Sequence, residues 1–154
     1  MTYKVAINGF GRIGRLVFRA ILAKPELEVV AINDLWTPEQ LKYLLKYDSM
    51  QGQFPYSFNI DGNLLTINTG DRKHSVKFLQ IKNLPELPWK ELGVEGVCES
   101  TGAFRKREEL AKHLHSGCSK GYRISPTFST TEPLWISVRS KVSFAISSKH
   151  LFRL

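Results

Sequence analysis

The feature of this sequence that most constrains its fold is a set of three spaced glycines between an apolar run and an amphipathic segment. In "VAINGFGRIGRLVFRA", residues 5–20, Gly9, Gly11 and Gly14 form the pattern G-x-G-x-x-G. The apolar run before the glycines predicts a buried strand, and the apolar spacing after them predicts a helix. Because glycines lack a Cβ atom, the backbone turns tightly and the helix packs close to the strand. The pattern therefore predicts the turn of a dinucleotide-binding βαβ unit.

An acidic residue follows at the distance that such a site requires. Asp34 lies 20 residues after Gly14 and directly follows the apolar run "EVVAIN", residues 28–33. A carboxylate at the end of the second strand accepts hydrogen bonds from the adenosine ribose hydroxyls and repels a 2′-phosphate. We therefore predict that the chain binds NAD rather than NADP, with the pyrophosphate at the helix N-terminus.

The rest of the chain alternates strand and helix patterns. Strands are predicted over residues 3–8, 28–33, 75–80 and 94–99, and helices over residues 12–22, 37–45 and 106–115. Two further runs, residues 56–60 and 64–68, flank Asp61 and Gly62, a pair typical of hairpin turns. We predict an α/β fold, a Rossmann-type doubly wound and mostly parallel sheet with an inserted β-hairpin. The strands over residues 4–8, 28–33 and 94–99 should lie side by side at the nucleotide crevice.

The net charge of +8 is unevenly distributed along the chain. Residues 1–118 hold 16 Lys/Arg and 13 Asp/Glu, whereas residues 119–154 hold 6 and 1. A modest excess of this kind is typical of a solvated surface, so nucleic acid is not expected as the main partner. No apolar run has the length of a membrane span, and no signal segment precedes the first strand. The two cysteines form no disulfide framework, which favours the cytoplasm.

The character of the sequence changes after about residue 120. The segment "TFSTTEPLWISVRSKVSFAISSKHLFRL" is rich in serine, holds a single acidic residue and suggests only a strand around residues 135–138. We therefore predict an NAD-binding domain over residues 1–118 and an atypical, basic, poorly ordered tail over residues 119–154. We interpret this tail as the product of a truncation or a frame shift.

Four separated segments resemble the N-terminal half of the glyceraldehyde-3-phosphate dehydrogenase family. They are "KVAINGFGRIGRLVFRA", "VVAINDL", "LLKYDSMQGQF" and "VCESTGAF", within residues 3–118, in the order and spacing of that family. The resemblance implies an NAD-dependent, phosphorylating oxidation of an aldehyde in glycolysis. It also implies a homo-oligomer, and a sugar-phosphate substrate only in a full-length member. The erythrose-4-phosphate dehydrogenases share much of this region and are an alternative.

The resemblance assigns cofactor contacts residue by residue. Backbone N–H groups of Arg12 and Ile13 would meet the pyrophosphate, Asp34 the adenosine ribose, and Lys82 the adenine side. The loop of residues 100–102 would pass under the nicotinamide half, although without the family it is simply a turn. Two matches are loose. Lys82 is followed by "NLP" where the family usually has Asp-Pro, and Ser125 is followed directly by Pro where the family has Ser-Ala-Pro. The full set of cofactor-binding candidates is Gly9, Gly11, Arg12, Ile13, Gly14, Asp34, Lys82, Ser100, Thr101, Gly102 and Ser125.

The family's chemistry rests on a cysteine in a Ser-Cys-Thr-Thr-Asn segment, which attacks the aldehyde as a thiolate while a histidine acts as base. This segment does not occur in the sequence. We expect Cys98 to be a buried strand residue. Cys118 with the nearby His115 supplies too few ligands for a metal site. No catalytic residue and no metal site are therefore predicted, and a catalytically inactive NAD-binding module is the alternative function.

Two histidines, His74 and His150, have no partners in the sequence pattern, and we expect both on the surface.

Overall fold

The structure is a computed structural model that describes residues 2–49, 52–104, 106–123 and 135–137. Its strands are β1 (Tyr3–Asn8), β2 (Leu27–Asn33), β3 (Tyr47–Asp48), β4 (Gly52–Gln53), β5 (Ser57–Asp61), β6 (Leu64–Asn68), β7 (Lys73–Leu79), β8 (Gly96–Glu99), β9 (Lys120–Arg123) and β10 (Trp135–Ser137). Its helices are α1 (Arg12–Leu22), α2 (Pro38–Lys46) and α3 (Arg107–His115), with a short 3-10 turn at Leu84–Glu86.

Eight strands form one sheet in the order β10-β9-β8-β1-β2-β7-β6-β5. The central five strands, from β9 to β7, run parallel to one another. From β1 the chain moves outward through β2 to β7, and it returns to the other side of β1 to form β8. The carboxyl ends of β1 and β8 therefore flank a topological switch point, where open α/β sheets bind their ligands. The prediction of a doubly wound sheet in which the strands now labelled β8, β1 and β2 are adjacent is confirmed.

Helix α1 forms because its apolar residues recur on one face. Val17, Phe18 and Ile21 are buried against the sheet. Helix α2 begins at a capping box, in which the Thr37 hydroxyl accepts from the Gln40 N–H and the Gln40 side chain accepts from the Thr37 N–H. The predicted bounds of α1 agree with the structure. Helix α2 begins and ends one residue later than predicted, and α3 begins one residue later.

Apolar side chains cover both faces of the sheet, as expected for parallel strands between helices. The cluster on the α1 face is built around Ile7, Phe18, Ile32, Leu65 and Phe78. The cluster on the other face is built around Ala6, Ala31, Leu87, Trp89 and Val97. Because neighbouring residues of β1 serve opposite faces, the end of this strand is fixed from both sides.

The predicted hairpin lies at one edge of the sheet, where β5 and β6 run antiparallel and β6 pairs with β7. Its turn lies one residue later than predicted, because Asp61 pairs with Leu64 and leaves Gly62 and Asn63 as the loop. Gly62 has a φ of +54°, a conformation that glycine adopts without strain.

The sheet continues beyond residue 118, since β9 pairs in parallel with β8 and β10 pairs with β9. Strand β10 lies within the predicted run of residues 135–138. Ser125 and His150 lie outside the described residues, and the domain boundary at residue 118 stays a prediction. In the described part of the chain, no helix has the length and apolar character to cross a membrane.

The expectation of a surface position for His74 is wrong. Only 6% of this residue is exposed, because the alternation along β7 places it on the same face as Val76 and Phe78. Its Nε2 has no hydrogen-bond partner among the described residues. Burial, and then the nearby Arg72, lower the pKa of His74 from its usual 6.5, and Glu28 and Asp71 oppose this shift.

We predict that His74 makes the fold sensitive to mild acid. Because its pKa is lowered in the folded protein, the unfolded chain takes up a proton first when the pH falls below about 6.5. The free energy of unfolding should then decrease with falling pH, and His74→Gln should remove this part of the decrease. Urea unfolding between pH 7.5 and 5 measures it. The control His115→Gln, at an exposed position of α3, should retain the pH dependence, and an unchanged pH profile in His74→Gln would contradict the prediction.

Candidate functional site

The first and third glycines allow a close approach between the end of β1, the start of α1 and the chain after β8. A Cβ atom on Gly14 would lie 2.0 Å from the carbonyl oxygen of Gly9, and one on Gly9 would lie 2.6 Å from the backbone nitrogen of Thr101. Gly9 also has a φ of +90°. The Ser100 hydroxyl donates to the Gly9 carbonyl oxygen at 2.7 Å. These two glycines are therefore required by the packing of the protein itself.

The glycine loop, residues 9–14, is held from several sides by hydrogen bonds to its backbone. The Gly9 N–H donates to the carbonyl of Asn33 at 2.8 Å. The Phe10 N–H donates to Oδ2 of Asp34 at 2.5 Å, and the Phe10 carbonyl accepts from the Arg15 guanidinium at 3.3 Å. The loop thus has its shape before any ligand arrives, which reduces the entropy lost on binding.

The second glycine, Gly11, borders open space. Beyond its chain neighbours and the backbone of its own helix, a Cβ atom on Gly11 would meet no atom of the described residues within 4 Å. Gly11 is the N-cap of α1, where no side chain caps the helix and no acidic residue lies in the first turn. The first N–H groups of a helix have no carbonyl partner within it, and its dipole favours an anion there. The N-terminus of α1, with the N–H groups of Arg12 and Ile13, therefore suits a phosphate group.

Asp34 lies at the end of β2, where its N–H donates to the carbonyl of Leu79 on β7. Its carboxylate is half-buried and oriented by two backbone donors, Phe10 N–H on Oδ2 and Trp36 N–H on Oδ1. An ionised carboxylate accepts at about four sites, so each oxygen retains a lone pair for a ligand. A pair of neighbouring hydroxyls, as on a ribose, matches this geometry.

The remaining candidates occupy two other loops at the same edge of the sheet. Ser100, Thr101 and Gly102 follow β8, with Thr101 and Gly102 exposed beside the glycine loop. Lys82 is exposed just after Ile81, whose backbone N–H and carbonyl both bond to the Asn33 side chain, each at 2.9 Å. The structure thus brings together the glycines, Asp34 and the loop after β8, with Lys82 at the end of the neighbouring strand β7.

Phe10, Arg15 and Asp48 support the site and were not among the predicted residues. Phe10, between the first two glycines, is 1% exposed and packs edge-on against Phe18 with ring centroids 5.4 Å apart. Arg15 pairs with the buried Asp48 at 2.8 Å and so ties the first turn of α1 to the chain after α2. An aromatic residue within a glycine turn is a signal that sequence reasoning could have used, whereas the ion pair depends on tertiary structure.

Both cysteines are buried, and neither is in the thiolate form that nucleophilic attack requires. Burial raises the pKa of Cys98 and of Cys118 to about 12. The Cys118 thiol also donates to the carbonyl of His113 at 3.0 Å. Since the thiolate is the nucleophile, neither sulfur is activated near neutral pH. Within the described ranges, no three His, Cys, Asp or Glu side chains are grouped to hold a metal ion.

A comparison with protein families identifies the same region of the chain. The family model described as "Glyceraldehyde 3-phosphate dehydrogenase, NAD binding domain" matches residues 3–107. The match includes the glycine loop, Asp34, Lys82 and the loop after β8.

Curated relatives extend this similarity. The glyceraldehyde-3-phosphate dehydrogenase of Geobacillus stearothermophilus is 49% identical over 121 residues, which cover 78% of this chain and 35% of the relative. Glyceraldehyde-3-phosphate dehydrogenase 1 of Bacillus subtilis is 48% identical over 120 residues, with the same coverage of both chains. Glyceraldehyde-3-phosphate dehydrogenase B of Aspergillus oryzae is 40% identical over 146 residues, covering 94% of this chain and 42% of the relative.

The chain therefore spans less than half of the length of these relatives. An alignment of 146 residues does not fit within residues 1–118, so the Aspergillus oryzae match includes part of the segment over residues 119–154.

We predict that Gly14 has a structural role and that Gly11 faces the ligand. Gly14→Ala should lower the free energy of unfolding by about 1–3 kcal/mol, because its Cβ meets the Gly9 carbonyl. Gly11→Ala should change it by less than about 1 kcal/mol, since the lost freedom of the unfolded chain offsets the poorer helix cap. Urea unfolding of the two variants measures both values. Equal destabilisation would show that the open space at Gly11 has been misjudged.

Proposed function

Since this chain belongs to the glyceraldehyde-3-phosphate dehydrogenase family, we propose that its glycine loop, Asp34 and the loop after β8 hold NAD. Membership in this family implies an NAD-dependent oxidoreductase, and the matched domain is the NAD-binding one. The observation that carries the proposed site is the combination of an open, uncapped helix N-terminus with an oriented carboxylate one strand away.

Each part of the cofactor has a proposed partner. The pyrophosphate lies against the N–H groups of Arg12 and Ile13, where Gly11 leaves room for its close approach. The ribose hydroxyls of adenosine donate to Asp34, and Lys82 lies on the adenine side. The nicotinamide half extends toward the loop of residues 100–102, because this loop follows β8 on the opposite side of β1 from Asp34.

For the complete family protein, we propose the oxidation of a sugar-phosphate aldehyde with NAD and inorganic phosphate, in a homo-oligomer in the cytoplasm. The names of the curated relatives support glyceraldehyde 3-phosphate as the substrate. The two free cysteines of the described part are compatible with a reducing compartment. NAD supplies the hydride acceptor in such a reaction, and the residues described above bind and orient it.

A second proposal concerns this chain taken alone, which we propose to be an NAD-binding module without dehydrogenase activity. It is supported by the state of Cys98 and Cys118, because burial keeps both thiols protonated near neutral pH. Covalent capture of an aldehyde requires a thiolate with access to the substrate.

We expect the 154-residue chain to bind NAD at one site and Asp34→Asn to weaken that binding. The substitution keeps an acceptor for only one of the two backbone donors, Phe10 N–H and Trp36 N–H, and it removes the charge that the ribose hydroxyls would meet. A hydrogen bond to a charged group contributes about 1.5–3 kcal/mol, so the dissociation constant should rise about tenfold or more. The preference for NAD over NADP should also narrow, because the 2′-phosphate no longer meets a negative charge. Calorimetric titration with both nucleotides measures these changes.

The matched control for this titration is Asp61→Asn, which removes a carboxylate at the edge hairpin, away from the glycine loop. It should leave both affinities unchanged. No NAD binding by the unsubstituted chain, or tighter binding of NADP than of NAD, would refute the proposed site.

We further expect no NAD reduction when the chain is given glyceraldehyde 3-phosphate and phosphate, because neither thiol is a nucleophile. Absorbance at the NADH band measures it, on protein purified away from host dehydrogenase. The full-length Geobacillus stearothermophilus relative serves as the positive control. Turnover that disappears in Cys118→Ser would overturn the second proposal.

A further inference from the structure

A chain of buried polar side chains lies beneath the proposed site, and none of its members is a proposed cofactor contact. It crosses the carboxyl ends of β2, β1 and β8 and continues into α3 and the segment before β8. Every member is at most 4% exposed, and the members are Asn33, Asn8, Glu99, His113 and Trp89. Burial of such groups is unfavourable unless they are hydrogen-bonded, so the connections between them carry information.

Glu99 is the centre of this chain. Its Oε2 accepts from the Asn8 side-chain amide at 2.6 Å and contacts Nε2 of His113 at 2.9 Å. Its Oε1 accepts from both the backbone N–H and the hydroxyl of Thr101. The four acceptor sites of an ionised carboxylate are therefore all in use. One oxygen is bound to the interior, and the other to the loop after β8.

The orientation of Glu99 depends in turn on His113. The indole N–H of Trp89, which is only a donor, lies 3.1 Å from Nδ1 of His113. Nδ1 must therefore accept, and the ring proton lies on Nε2, from which it is donated to Glu99. Trp89 thus selects the tautomer of His113 that holds the carboxylate.

The position of Thr101 matters because this residue is the wall against which Gly9 packs. A Cβ atom on Gly9 would lie only 2.6 Å from the backbone nitrogen of Thr101. A movement of Thr101 by a few tenths of an ångström would therefore change the space between the glycine loop and the loop after β8.

We propose that Glu99 is a positioning residue for the dinucleotide, since it holds Thr101 against the glycine loop and is itself oriented by His113 and Trp89. The inference rests on the proposed NAD site. Glu99 does not contact the cofactor, and it acts through the loop of residues 100–102. A role confined to general stability would affect all strands alike, whereas a positioning role affects this loop first.

The test compares Glu99→Gln with Glu95→Gln in the full 154-residue chain. Glutamine at position 99 keeps the size of the side chain but offers an NH₂ group to donors that need an acceptor. Glu95 is the matched control, because it accepts from the Lys4 N–H at 2.9 Å before the opposite, amino end of β8. Amide hydrogen exchange by NMR and NAD titration are measured on both variants.

In Glu99→Gln we expect the Thr101 amide to exchange about tenfold faster or more, while the amides of β1 and β2 keep their protection. The dissociation constant for NAD should rise by about the same factor. Glu95→Gln should leave both within about twofold of the unsubstituted chain. Unchanged exchange at Thr101, or an equal increase throughout the sheet, overturns the proposal.

Trp89→Phe provides a second variant if Glu99→Gln fails to fold. It removes the indole N–H but keeps an aromatic ring in the core. The ¹⁵N shifts of His113 should report the Nε2–H tautomer in the unsubstituted chain and a mixture in Trp89→Phe, with faster exchange at Thr101. An unchanged tautomer and unchanged exchange in this variant refute the proposal. Because exchange is measured without NAD, failure of the chain to bind NAD refutes the proposed function separately.

Discussion

The close contact between Gly14 and the carbonyl of Gly9 determines where helix α1 starts and where its N-terminus points. With 2.0 Å between that oxygen and the place of a Cβ atom, no other residue fits without moving either the helix or the end of β1. Phe10 is buried in the core, its N–H donates to Asp34, and its carbonyl accepts from Arg15. The direction of the helix dipole is therefore fixed by packing within the protein and does not depend on a ligand.

Local sequence patterns were sufficient for most of the fold. Helix α1 and the strands beside the crevice follow from apolar spacing within a few residues, and the edge hairpin follows from its turn residues. His74 shows the limit of this reasoning, because a lone histidine suggests a surface position while the alternation with Val76 and Phe78 buries it. Weighing the period of the strand above the chemistry of the single residue gives the right face.

The buried polar chain could not be predicted in the same way. Asn8 and Glu99 are bonded across 91 positions of sequence, and Asn33 and Asn8 across 25. Each residue looks like an ordinary polar end of an apolar strand. The predicted adjacency of the three strands brings these ends together, but it does not indicate that their side chains are buried and bonded to one another. The pairing with His113 further requires α3 to pack over the end of β8. Sequence patterns therefore propose contacts to the ligand more readily than they reveal the buried residues that hold the loops in place.

Asp34 is a proposed cofactor contact and also holds the glycine loop, and both roles bear on the choice between NAD and NADP. Its two backbone hydrogen bonds orient the carboxylate, but neutral N–H donors do not cancel its charge, so a 2′-phosphate at the same place is still repelled. The same bonds restrict its rotation, so the carboxylate cannot turn away from the phosphate without leaving Phe10 N–H or Trp36 N–H unpaired. Discrimination against NADP would then follow from the rigidity of the carboxylate as much as from its charge. Because the Phe10 N–H donates to that carboxylate, the residue proposed to select the cofactor also shapes the loop that would hold its phosphates.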